Sequence, residues 1–150
     1  MHKLMAALVV MIVATLPRIR ADEFEPRYQA IGQSQGKMPE ATRLHQLFEV
    51  DWAYTMTSSP ETATYVGYPG LDSRWTDESP PAIAERKQLA PRPLTILTTI
   101  DRSQLSPADQ ISYDLFKRQA EEKLEGARFP VELIAVTQLF GGRFLRNDDG

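Results

Sequence analysis

The sequence predicts an all-α fold of several short-to-medium amphipathic helices, and three observations carry that expectation. Apolar residues recur at helical spacing in stretches between residues 40 and 124. Serine–proline entries stand at Ser59-Pro60, Ser79-Pro80 and Ser106-Pro107, each setting a hydroxyl at an N-cap and proline at N1. Only residues 131–140 (VELIAVTQLF) break the pattern. They are apolar and rich in β-branched residues, and read equally as a short strand or a short buried helix.

A chain of 150 residues is about one domain. With 42% hydrophobic and 25% charged residues and a net charge of −3, it is neither wholly disordered, nor collagen-like, nor a strongly basic nucleic-acid binder. It has no Cys and two His, at positions 2 and 45. That excludes disulfides, a Cys nucleophile and a His-rich zinc site made from this sequence by itself.

Residues 1–21 read as a secretory signal, with Lys3 as the positive start and residues 4–16 as an uncharged apolar run before Pro17. As a helix those 13 residues span about 20 Å, short of the roughly 30 Å of a bilayer core. Cleavage after Ala21 is therefore expected over an uncleaved anchor, with Ile19 and Ala21 at −3 and −1. The protein is expected to be exported, periplasmic or secreted, and to meet the membrane only through this segment. Loss of Lys3, Arg18 and Arg20 leaves 14 basic against 20 acidic side chains, a net charge of −6, which argues against a nucleic-acid partner.

Residues 22–39 are polar, with Gly32 and Gly36 and no sustained apolar period, and read as a flexible leader. Leu44, Leu47, Phe48, Trp52, Thr55 and Met56 then mark a helix over residues 40–57. Pro60 opens a short helix to Val66, and Gly67 ends it in the left-handed region. Residues 71–77 read as an ordered loop held by Trp75. Ile83, Ala90, Leu94, Leu97 and Ile100 share a face, but Pro91 and Pro93 interrupt it. An interior proline costs on the order of 3 kcal/mol, so two helices, 80–90 and 93–101, are expected in preference to one kinked helix. The last helix is capped by Ser106, with Asp109 in a capping-box position. Ile111, Leu115, Phe116, Ala120 and Leu124 form its apolar side, Asp114 is spaced to pair with Lys117 and Arg118, and Gly126 closes it. Residues 143–150 are a polar tail.

Chemistry is scarce. No HExxH, GxSxG, P-loop or GxGxxG pattern occurs. His45 and Glu49 share a helical face, but a catalytic metal needs about three protein ligands, and His45 reads as packed beside Leu44 and Phe48. Glu121-Glu122 reads as a solvated face, and Ser58, Ser59, Ser79 and Ser106 as caps. No catalytic, cofactor-binding or metal-binding residue is assigned. The aromatic residues Trp52, Tyr54, Tyr65, Tyr68 and Trp75 could line a peptide or sugar groove, though core packing is the commoner use of such residues.

The order of the stretches 43–67, 73–87, 97–130 and 136–142 closely resembles the N-terminal region of the bacterial domain-of-unknown-function 885 family. The pieces that carry the resemblance are Pro60, Glu61, Ala63, Thr64 and Gly67, then LSPAD, SYDL and LEGARF. It implies an exported, mostly helical, zinc-metallopeptidase-like protein longer than this chain, with a peptide substrate and an HExxH motif downstream. Residues 40–142 would be the N-terminal helical region of a larger fold, with no cofactor of its own. The chain would be inactive by itself, and a missing C-terminal portion would be its packing partner. It departs from the family at Pro91 and Pro93, where the resemblance implies a continuous helix, and after Gly142, where the polar tail suggests a truncation. The alternative is a stand-alone secreted helical binding module that uses residues 52–75.

Overall fold

The structure, a computed structural model, describes residues 21–130. The readings made on residues 1–20 and 131–150, including the signal core, the segment 131–140 and the tail, lie outside the described residues. Within them the fold is all-α: α1 (Ala21–Gln33), α2 (Glu40–Ser58), α3 (Pro60–Tyr65), α4 (Pro80–Leu89), α5 (Arg92–Leu97), a 3-10 turn (Arg102–Gln104) and α6 (Pro107–Gly126).

The first helix corrects the expected flexible leader over residues 22–39. Phe24, Tyr28 and Ile31 recur at i, i+4 and i+7, and all three are buried in the core. Pro26 lies inside α1 and glycines follow the stripe, so its periodicity is short and interrupted. Tertiary burial outweighs those local penalties. α1 packs on both α2 and α5, and Gly32 allows a close approach: a Cβ there would lie 3.1 Å from Ile96 Cδ1.

α2 begins at the expected residue, but its buried face is rotated from the expected stripe. Leu44 and Leu47 are in the core, joined by Val50 and Tyr54, while Trp52 is 50% exposed. The Tyr54 ring meets Phe24 edge-on, with centroids 5.4 Å apart, and this contact selects the face. Met56 belongs to a smaller cluster with Ala63 and Leu71.

The ends of α3 follow local rules. Pro60 sits in its first turn, and Gly67 takes φ 76° just past its end. Tyr68 N–H donates to the Ala63 carbonyl at 2.8 Å and Gly67 N–H to Thr64 at 3.1 Å, the paired bonds of a Schellman motif. The loop that follows is anchored at several points. Trp75 is exposed, whereas Leu71 is buried and the Thr76 hydroxyl donates to Glu61 at 2.6 Å.

The prolines resolve as two helices. Pro93 lies in the first turn of α5, where its missing N–H costs little, and the chain bends between Leu89 and Arg92. Ile96, Leu97 and Ile100 from this region enter the core with Leu89.

α6 carries the expected cap: Asp109 N–H donates to Ser106 Oγ at 3.2 Å. Gly126 is its last helical residue, with no left-handed turn there. Its apolar side is also rotated. Tyr113 and Ala120 are buried and Phe116 meets Phe48 at 4.9 Å, whereas Ile111 and Leu115 are exposed. Asp114 does not pair along its own helix. It accepts both prongs of Arg102 from the 3-10 turn, at 2.8 and 2.7 Å, because a guanidinium fork matches a carboxylate better than an ammonium does.

One buried charge binds three helices together. Arg43 is fully buried and donates to Glu40 at 2.7 Å, to the Thr99 carbonyl at 2.9 Å, to Thr99 Oγ1 at 2.6 Å and to the Ile31 carbonyl at 3.4 Å. Removing one partner of a buried pair typically costs about 3–5 kcal/mol, because the other charge is left in the interior. Arg43→Met is therefore expected to lower stability by roughly 3 kcal/mol or more, read as a fall in the urea midpoint. Arg43→Lys should lie between the two, since an ammonium cannot span the same acceptors.

Candidate binding groove

A groove of about 620 Å³ opens among the described residues, within the range that takes small ligands or peptide side chains. α2 contributes Tyr54, Thr55 and Ser58 to it, and α4 contributes Ile83 and Leu89, with Ala90 and Pro93 at the proline corner. The far wall is the end of α6, where Lys123 and Gly126 are followed by Ala127 and Phe129. These elements meet because Tyr54 and Leu89 are drawn into the same core.

The lining is mainly apolar, with several polar and charged side chains along it. Asp51 accepts from the Tyr28 hydroxyl at 3.1 Å and stands 3.9 Å from Lys123 Nζ. Burial, with the Asp51 carboxylate beside it, pushes the Tyr28 phenol above its ordinary range, so it stays a donor. Arg86 pairs with Glu78 at 3.0 Å. In the α2 wall, Ser58 is buried and its hydroxyl has no partner among the described residues. It is not the cap that the sequence suggested. A buried hydroxyl left unbonded is uncommon and marks an unfinished surface.

The residues singled out in the sequence do not converge. His45 does not pair with Glu49; its Nε2 lies 2.8 Å from Asp109 Oδ1, tying α2 to the start of α6, and its ring tilts against Phe48 at 6.4 Å. Glu121 and Glu122 are exposed and sit beside Lys117 and Arg118 on their own helix. Ser59 and Ser79 stand at N-cap positions without a side-chain cap bond. Of the aromatic series Tyr54 reaches the groove, while Trp52, Tyr65 and Trp75 face solvent. Among the described residues no group of three His, Cys, Asp or Glu side chains could hold a metal ion. No helix among them is long and apolar enough to cross a membrane. The sequence reading missed Asp51 and Lys123, whose 3.9 Å approach joins two helices with no shared motif.

The family described as a bacterial protein of unknown function, DUF885, matches residues 60–145, more than half of the chain. The chain belongs to the DUF885 family. The matched stretch holds α3 to α6 and runs past the groove, whereas the resemblance in the sequence was traced from residue 43. No curated protein and no solved structure matches this DUF885 chain.

The His45–Asp109 contact has a pH signature. The hydrogen bond from His45, then that from Ser106, holds the Asp109 carboxyl below its usual value. A depressed carboxylate stabilises the fold above its unfolded pKa, about 3.9, and loses that contribution as pH falls through the lower folded value. His45→Phe should therefore weaken the fall of the urea midpoint between about pH 4 and pH 2. Asp101 and Asp114 are lowered too and keep their share in both proteins, so equal slopes would refute the assignment.

Proposed function

We propose that this chain is the non-catalytic N-terminal helical portion of an exported metallopeptidase-like hydrolase, acting as a wall that seats further protein. The observation that carries this reading is the open, mainly apolar groove of about 620 Å³ beside the helical core. Membership of DUF885 supports it, together with the apolar segment at residues 4–16. In this reading zinc and its activated water are held by an HExxH helix, a motif that does not occur in these 150 residues. A peptide would be the substrate of the whole enzyme. The purified chain, supplied with zinc, should hydrolyse no peptide and bind well under one equivalent of metal. One zinc per chain, with hydrolysis abolished by His45→Ala, would overturn the reading.

The exposure of Trp52, Tyr65 and Trp75 favours a second reading, a stand-alone secreted helical binding module built on residues 52–75. Titration with peptide or oligosaccharide pools separates the two. A saturable shift in tryptophan emission, lost in Trp52→Ala and Trp75→Ala, would favour the module; flat emission would favour the wall.

A further inference from the structure

We propose that the groove binds a free α-amino acid with a large apolar side chain, held at its two charged groups by Asp51 and Lys123. Such binding is independent of the hydrolase reading, which stands or falls on its own test. An incomplete ion pair in the groove lining is the starting point. The Asp51 side chain is only 15% exposed, and its Oδ1 accepts from the Tyr28 hydroxyl at 3.1 Å. Its Oδ2 has no hydrogen bond among the described residues, because Lys123 Nζ stands 3.9 Å away, too far for one. Lys123 is half exposed, and among the described residues its ammonium donates to Thr55 Oγ1 alone, at 3.3 Å. An ammonium has three N–H groups, so donor capacity remains. A mostly buried carboxylate oxygen without a donor, beside a cation with donors to spare, is where a ligand gains by completing both.

Charge complementarity selects that ligand. A free α-amino acid carries its ammonium and its carboxylate on one carbon, so both can meet the pair together. Its ammonium donates to Asp51 Oδ2 and its carboxylate accepts from Lys123 Nζ. The four charges then alternate in sign, and each has an opposite charge on either side. A ligand with a single charge does worse, since an anion at Lys123 meets Asp51 and a cation at Asp51 meets Lys123. The rest of the lining selects the side chain. Ile83, Leu89, Ala90 and Pro93 share the groove with Phe129, which is 58% exposed. A volume of about 620 Å³ accommodates a leucine or phenylalanine side chain, and the apolar surface removed from water favours those over small or polar ones.

Calorimetric titration of the purified full chain with L-leucine and L-phenylalanine tests this. Saturable binding of at least one is expected at millimolar concentration or below. Glycine lacks the side chain, the N-acetyl derivative lacks the ammonium and the amide lacks the carboxylate. Each should bind roughly tenfold more weakly, or not at all. Lys123→Met, at a half-exposed position, should keep the fold and lose affinity by a similar factor. Asp51→Asn, which keeps an acceptor for Tyr28, should do the same. No saturable binding of either amino acid would overturn the proposal. Equal affinity for the acetylated form would assign the groove to an apolar carboxylate, and equal affinity for the amide to an apolar amine, and each would overturn it too. So would unchanged affinity in a Lys123→Met chain that keeps the urea midpoint of the unaltered protein.

Discussion

The buried guanidinium of Arg43 is the constraint around which the helices are arranged. A helix leaves its last carbonyls unpaired and partly negative. Arg43 adds a donor to the Ile31 carbonyl near the end of α1, which Ser34 also bonds, and donates to the Thr99 carbonyl just after α5. It is balanced by Glu40, whose carboxylate also accepts from the Asp101 N–H at 3.3 Å. Three chain segments therefore meet at one planar group. The apolar core of Phe24, Leu44 and Leu97 forms beside it, and its alignment follows from where those segments are held.

With α1, α2 and α5 held together, the remaining helices have limited freedom. α6 is joined to α2 at its start by His45 and Asp109 and further along by Phe48 and Phe116. The proline corner directs α4 away from α5, and the end of α6 comes to lie opposite it. The groove is the space between those two elements. Its lining is mainly apolar, with Ile83, Leu89, Ala90 and Pro93 on one side. Along it Asp51 stands near Lys123 and Arg86 pairs with Glu78.

The chain belongs to DUF885, and its described residues form a helical body. Chemistry at a metal needs several donors brought to one point. Here His45 is engaged with Asp109 and the acidic pairs on α6 lie along a solvent face. Beside these groups lies the mainly apolar groove between α2, α4 and the end of α6.

Helix ends were legible because the signals that make them are local. Pro60, Pro107, Ser106 and Gly67 act through neighbours within a few residues, and each does in the structure what its position suggested. The all-α class and the break at Pro91 and Pro93 were legible for the same reason. Faces and partners were not. α1 is hidden in sequence by Pro26 and by a stripe of only three residues, and is stabilised by packing against α2 and α5. Of the expected face of α6, Phe116 and Ala120 turn inward, but Ile111 and Leu115 are exposed and Tyr113, off that face, is buried. Arg43 reads as one more surface charge until Thr99, 56 positions away, is brought to it. Local backbone preference decides where a helix starts and stops. Which side it buries, which charge it can bury and where a groove remains depend on groups distant in sequence, and only the tertiary structure brings them together.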